Sequence, residues 1–176
     1  MRIEQGEIII RDALPSDSAQ LAKWWNDGAV MAHAGFPKGL GITEDQIIRQ
    51  LAQDRDDTKR RLIIEYQGQR IGETNYLNRG QQVAEIGIKL CDPAFQNRGL
   101  GRVILSLLIR RLFDEGYQKI VLDTNLHNVR AQHVYQLLGF KQTGVRSHAF
   151  RDQLGNWQTA VDFELMPTDF VEFALT

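Results

Sequence analysis

A change of hydrophobic period within one unbroken stretch, Ala84 to Phe113, constrains this chain more than anything else in it. Ala84, Ile86, Ile88 and Leu90 alternate with Glu85, Gly87 and Lys89, the period of two expected of a strand with one buried face. Past Gln96-Asn97-Arg98-Gly99-Leu100-Gly101 the period lengthens. Val103, Ile104, Leu107, Leu108, Leu112 and Phe113 recur at intervals of three and four and form one apolar stripe on a helix. A strand therefore feeds a helix N-terminus through a short glycine-bearing loop.

That junction is where chemistry is expected to enter. The first turn of a helix leaves its N–H groups without partners, and the macrodipole adds partial positive charge, so an anion is favoured there. Gly99 and Gly101 carry no Cβ, which lets an anionic oxygen approach the backbone closely. Arg98 and Arg102 add full charges. Two glycines also suit a plain strand-to-helix turn, so the loop alone does not decide the matter.

The flanking segments supply the rest of a fold. Glu7 to Arg11 holds the β-branched run Ile8-Ile9-Ile10, a first strand. Pro15-Ser16-Asp17 opens a helix with Leu21, Trp24 and Trp25 on one side. Gly28, Gly35, Gly39 and Gly41 with Pro37 predict a long loop over 28–41. With Met31, His33 and Phe36, that loop is a candidate wall of a substrate site or a connector with anchoring aromatics. Thr43 and Gln46 fit a capping box before Ile47, Ile48 and Leu51. The charges of Asp54 to Arg61 read as a solvated connection. Leu62 to Tyr66, Arg70 to Leu77 and Val83 to Leu90, joined by short turns, form an antiparallel meander.

Beyond the long helix, Lys119 to Asn125 is a strand, so strand, helix and strand make a right-handed crossover with its two strands parallel. Asn128 caps the next helix, whose stripe is Ala131, Val134, Tyr135 and Leu138, and Gly139 suits its C-cap. Phe140 to Val145 and Trp157 to Leu165 are final strands about a turn at Asp152 to Asn156. The tail from Thr168 to Thr176 is expected to be a short docking helix. No repeat or linker divides the 176 residues, so one domain over 1–176 is expected.

A net charge of −1 gives no support for binding a nucleic-acid backbone or an anionic membrane. One cysteine, Cys91, forms no internal disulfide and suggests a reducing compartment, hence the cytoplasm. A dinucleotide site has Asp123 about 20 residues beyond the glycines in its favour. Against it stand Ile104 where a third glycine belongs and the meander before the motif. His33, His127, His133 and His148 show no metal spacing, so no metal is expected. Cys91 is more simply a small buried hydrophobe than a nucleophile.

The hexapeptide Gln96 to Gly101 after a strand, followed by Asn128, Ala131, Tyr135 and Gly139-Phe140, resembles the GNAT superfamily of acyl-CoA-dependent N-acetyltransferases. That family's pattern is Gln/Arg-x-x-Gly-x-Gly/Ala, then Asn-x-x-Ala-x-x-x-Tyr-x-x-x-Gly-Phe. Arg146, Phe150, Arg151, Gly155 and Asp162 more loosely resemble the branch with ribosomal-protein-alanine and spermidine acetyltransferases. The resemblance implies an α+β fold with a central mixed, mostly antiparallel sheet, and acetyl-CoA as co-substrate.

It also implies roles. The pyrophosphate would sit on the N–H groups of Arg98, Gly99, Leu100, Gly101 and Arg102, with Gln96 and Asn97 also binding the cofactor, and pantetheine would pair with the backbone of Ile88, Lys89 and Leu90. A backbone N–H near Leu90 would stabilise the oxyanion, and Asn128 would touch the arm. An alkyl ammonium titrates near ~10, so attack needs a base. Glu85 resembles the position of one, with Glu73, Asp27 and Asp123 in reserve and a cross-strand ion pair as Glu85's simpler use. Tyr135 would donate a proton to the leaving thiolate, whose pKa lies within ~2 units of a phenol's.

Trp24, Trp25, His33 and Phe36 would border the acceptor, a small-molecule or protein N-terminal primary amine. A protein N-terminus, a polyamine, an aminoglycoside and an amino-acid derivative all remain open. The tail and last hairpin are candidates for a homodimer contact. A non-catalytic acyl-CoA sensor and a nicotinamide-dependent oxidoreductase are the competing functions.

Overall fold

In the computed structural model, which describes residues 1–174, the alternating segments become eight strands. They are β1 (Arg2–Gln5), β2 (Ile8–Asp12), β3 (Lys59–Tyr66), β4 (Gln69–Asn78), β5 (Val83–Leu90), β6 (Lys119–Asn125), β7 (Lys141–Arg151) and β8 (Trp157–Leu165). They form one sheet in the order β1-β2-β3-β4-β5-β6-β8-β7. Every neighbouring pair is antiparallel except β5 and β6. The helices are α1 (Ser18–Trp25), α2 (Gly28–Met31), α3 (Glu44–Leu51), α4 (Leu100–Asp114) and α5 (Val129–Leu137).

Two apolar layers hold the sheet. On one face Leu100, Val103, Ile104, Leu107, Leu108 and Leu112 of α4 pack with Ile8, Ile10, Leu62, Ile64, Ile86 and Phe163. Each fully buried aliphatic side chain there is worth roughly 1.5–3 kcal/mol relative to exposure, so the stripe on α4 clamps the turn before it against the sheet. On the other face Leu21, Trp24, Trp25, Met31, Ile47 and Leu51 close over Ile63 and Cys91. The expected capping box is present: Gln46 N–H donates to Thr43 Oγ1 at 3.3 Å, and Thr43 N–H donates to Gln46 Oε1 at 2.9 Å.

Several expectations are corrected. β1 precedes the first expected strand and pairs with it; its short, mostly polar sequence carries little strand signal. The segment 28–41 is not an open loop but holds α2 and a 3-10 turn at Ala32–Ala34, because Asp27 Oδ1 accepts from Ala29 N–H at 2.8 Å. β3 begins within the charged run. Arg61 pairs there with half-buried Asp54 at 2.9 Å. β7 runs to Arg151, past two irregularities in its pairing with β8. After a 3-10 turn at Pro167–Asp169 the tail to Ala174 is irregular rather than helical. The rest of the expected tail helix, 175–176, lies outside the described residues.

The parallel pair positions the site. β5 and β6 share three rungs, Val83 with Lys119, Ala84 with Ile120 and Glu85 with Val121, and then part. β5 stays paired to β4 as far as Leu90, and β6 to β8 as far as Asn125. A wedge therefore opens inside the sheet.

Candidate active site

The wedge is the head of a cavity of about 900 Å³. Gly87, Ile88, Lys89 and Leu90 line it from β5, and Asp123, Thr124 and Asn125 from β6. Every second residue of an antiparallel strand turns its N–H and C=O away from its partner. The Leu90 carbonyl accepts from Gln96 Nε2 at 2.8 Å, so Leu90, and with it Ile88, faces the wedge. The Lys89 carbonyl faces β4 instead: a Cβ on Gly72 would lie 2.2 Å from it. The expectation that Lys89 backbone pairs in the wedge is thereby corrected; only its side chain reaches the cavity.

At the far end of β5 the chain forms a cradle. Asn97 and Gly99 take left-handed conformations, φ 59° and 76°, which turn the backbone into α4. No side chain caps that helix, so the N–H groups of its first turn point into the space beyond Gly99 without protein partners. Gln96, Asn97, Gly99, Leu100, Gly101 and Arg102 all line the cavity. Arg130, from α5, leans across to Gln96 Oε1 at 3.3 Å and Asn97 Oδ1 at 3.1 Å. Arg98 does not line the cavity; its guanidinium lies over the Phe95 ring, 5.6 Å from the centroid. Among the described residues no carboxylate pairs with Arg98, Arg102 or Arg130.

Tyr135 closes the opposite wall. Its ring is buried between Phe140 and Phe163, at centroid distances of 5.8 and 5.6 Å. Its hydroxyl makes no hydrogen bond among the described residues and opens on the cavity. Burial, with a smaller push from the Asp123 charge, raises the phenol to about 12. Asn128 Oδ1 accepts from Ala131 N–H at 3.4 Å, its Nδ2 donates to Thr124 Oγ1 at 3.3 Å, and it also lines the cavity. It therefore caps α5 and faces the wedge at once.

The third wall is the segment 28–41, which contributes Ala29, Val30, His33 and Ala34. Gln153, in the turn between β7 and β8, ties it down. Its N–H donates to the Gly35 carbonyl at 2.8 Å, its Nε2 to the Gly39 carbonyl at 2.9 Å, and its Oε1 accepts from Lys38 N–H at 2.8 Å. Gly35 packs on Phe150, whose Cε2 would lie 2.9 Å from a Cβ there. The cavity thus joins an anion cradle, an unpaired strand edge and a bridged mouth.

A profile described as the acetyltransferase (GNAT) family matches residues 19–140, more than half of the chain and including both wedge strands, the cradle and Tyr135. The chain belongs to the GNAT acetyltransferase family. It is 36% identical over 66 residues to a mycothiol acetyltransferase of Cellulomonas flavigena, covering 38% of this chain and 19% of that one. Over 65 residues it is 35% identical to the ribosomal protein bS18-alanine N-acetyltransferase of Salmonella typhimurium, covering 37% of this chain and 44% of that one. The chain thus spans less than half the length of these curated relatives.

Solved GNAT structures share the fold along nearly the whole chain. A spermidine N-acetyltransferase from Vibrio cholerae in complex with CoA and spermine superposes with a TM-score of 0.83 at 19% identity, covering 94% of this chain and 98% of that one. A ribosomal-protein-S5-alanine acetyltransferase from Vibrio fischeri gives 0.82 at 17% identity, covering 97% and 99%. The expected α+β GNAT fold is the observed one.

Within this GNAT site some expected residues stand elsewhere. Trp24 and Trp25 are 5% and 7% exposed and belong to the second apolar layer rather than the acceptor wall. The Trp25 indole donates to Glu73 Oε1 at 2.7 Å, and Lys89 Nζ reaches the same oxygen at 3.4 Å. Phe36 is 38% exposed and does not line the cavity, whereas Phe150 does. Glu85 does not line the cavity; its carboxylate is ion-paired with Arg79. Asp123 lines it but is held by Arg146 at 2.6 Å. Of the four residues expected to border the acceptor, His33 alone lines the cavity. Arg130, Thr124, Asn125 and Gln153 were not anticipated, and Phe150 was read only for its resemblance to one branch, not as part of the lining.

Proposed function

We propose that the protein transfers acetyl from acetyl-CoA to a primary amine, directly and within a ternary complex, as an N-acetyltransferase of one domain over 1–176 acting in the cytoplasm. One observation carries this: a strand edge left unpaired from Ile86 onward leads straight into a cradle of free N–H groups flanked by Arg102 and Arg130. An extended arm ending in a diphosphate fits both, the arm completing the ladder beside Ile88 and Leu90 and the diphosphate meeting the turn. The thioester then lies along the free edge of β5 facing Tyr135, where the Leu90 N–H and the phenol are the proposed donors.

The amine enters under the segment 28–41, past His33 and Phe150. Its proton leaves by way of water to Glu85, which lies on the same sheet face as Gly87, two positions before it. Gly87 has no side chain to block that route. Tyr135 serves the departing thiolate. The acceptor is a small-molecule amine or a protein N-terminus. Asp123, the one carboxylate among the described cavity lining, is already matched by Arg146, which leaves little to attract a polycation.

Titration calorimetry with coenzyme A tests the reading. Saturable one-to-one binding is expected, followed by amine-dependent thiol release from acetyl-CoA. Failure to bind coenzyme A overturns the reading, and binding without thiol release across a broad amine panel leaves a sensor in its place.

A further inference from the structure

α4 carries one polar side chain on its buried face. Ser106 is completely inaccessible among leucines, valines and isoleucines, and a hydroxyl buried without a partner costs free energy. Its partner is the tail: Ser106 Oγ accepts from Phe173 N–H at 2.9 Å. The tail is tied at three further points. A Cβ on Gly139 would lie 2.0 Å from the Asp169 carbonyl, Val171 N–H donates to the Leu138 carbonyl at 3.0 Å, and Arg110 is ion-paired with Glu172. Residues 169–173 therefore run in a fixed groove between α4 and α5.

This anchoring delivers one ring to one place. The Arg102 guanidinium lies over the Phe173 ring, 4.9 Å from its centroid. On the other side, Arg102 Nε and Nη2 both stand 3.6 Å from where a Cβ on Gly99 would be. Arg102 lines the cavity and has no carboxylate partner among the described residues. A free arginine side chain samples many rotamers, and fixing one costs entropy on binding. A guanidinium already stacked between a ring and a bare glycine has surrendered much of it before any anion arrives.

We infer that Phe173 is a positioning residue for anion binding at the cradle: anchored by Ser106, it holds the Arg102 guanidinium beside Gly99, ready for the diphosphate of the acyl carrier. The inference rests on the proposed use of the cavity by acetyl-CoA and extends it to a segment outside both sequence motifs. The tail contributes no atom to the ligand and acts through Arg102.

Phe173→Leu keeps the apolar contact with α4 and removes the aromatic face. Its Kd for coenzyme A is expected to rise about three- to fivefold, the span of a partly exposed cation–π contact, while its Kd for pantetheine, which lacks phosphate, stays at the wild-type value. In an Arg102→Gln background the same change should add nothing, because the two side chains act as one unit. Ser106→Ala, which frees the tail without touching the ring, should move coenzyme A affinity in the same direction.

Equal loss for pantetheine, additive loss in the double variant, or tighter binding on removal of the ring would each overturn the inference. If the wild-type protein itself fails to bind coenzyme A, the transferase reading falls and this one with it. That result shows in the wild-type titration alone and is distinct from a failure of Phe173.

Discussion

Replacing Tyr135 by phenylalanine removes one oxygen and leaves a packed ring, so its effect on rate isolates what the hydroxyl does. At ordinary values a phenol near 10 and an alkyl thiol near 8.5 differ by about 1.5 units. Burial and the Asp123 charge push Tyr135 up to about 12, which widens the gap to about 3.5 units, or about 5 kcal/mol at 1.36 kcal/mol per unit. Complete proton transfer to a free thiolate is therefore steeply uphill, more so than the sequence suggested. A hydrogen bond to the developing charge is the contribution this site supports, worth about 1.5–3 kcal/mol.

Tyr135→Phe should accordingly lower single-turnover thiol release by roughly 10- to 150-fold, below the upper range of about 10²–10⁴ for general acid catalysis. Coenzyme A affinity and the unfolding midpoint should hardly move, since the hydroxyl bonds to no other described residue. The assay is rapid-mix detection of the released thiol with a chromogenic disulfide at saturating acetyl-CoA. A fluorinated tyrosine, whose phenol is more acidic, should change the rate only modestly. An unaltered rate in Tyr135→Phe would remove the hydroxyl from the mechanism. A large acceleration by the fluorinated phenol would show that full proton transfer limits the rate and refute the hydrogen-bonding argument.

Two further outcomes follow from carboxylates on the other sheet face. Glu85→Gln should flatten the pH–rate dependence of kcat/KM wherever a carboxylate relay is needed; an unchanged profile moves proton removal to another group or to water. Asp17 is fully buried, chelated by Arg11 at 2.8 and 3.0 Å, with Arg70 at 3.1 Å and the Leu14 N–H at 2.8 Å. Burial opposes its charge, but the Arg11 and Leu14 hydrogen bonds prevail, and its pKa falls below the ordinary carboxylate value. Its stabilisation is thus complete above the unfolded-state value of about 3.9 and lost as pH falls through the lower folded value. Asp17→Asn should destabilise by roughly 3 kcal/mol at pH 7, and urea unfolding should show the deficit shrinking below pH 4. A deficit independent of pH would refute the ion-pair account.

What the sequence made legible was local or fixed in spacing. The change of period at Ala84 to Phe113, the glycines of the cradle, the capping box at Thr43 and the crossover are set by residues within a few positions of one another, where backbone physics writes directly into composition. The errors have one cause. Trp24 and Trp25 lie on the right helix face, but whether that face meets solvent, ligand or Ile63 depends on α3, which is placed by tertiary packing. Glu85 lies on the face that reads as polar, yet its partner Arg79 comes from a turn. The glycines of 28–41 signal an irregular backbone correctly but not why it is ordered: Gly28 and Gly39 let that segment fold against Pro37 and Asn26, where any Cβ would collide at 2.0 and 2.2 Å.

The wedge itself favours one ligand class over its rival. β5 and β6 each keep an outer partner to the end, so the gap between them arises because each strand follows the twist of its own neighbour. Ile88 turns an N–H and a C=O into the gap, the Leu90 carbonyl is met by Gln96, and the cradle lies beyond, so recognition runs in a fixed order from peptide-like hydrogen bonds to anion. In coenzyme A an arm bearing two amides runs into a diphosphate, in that order. A nicotinamide dinucleotide carries its diphosphate between two nucleosides and has no strand-like arm to complete the ladder. Were its diphosphate placed on the cradle, a ribose would face Ile88, and its hydroxyls lack the amide spacing that continues a strand ladder. Under the proposed function, the unfinished ladder, more than the glycines, is what favours an acyl carrier.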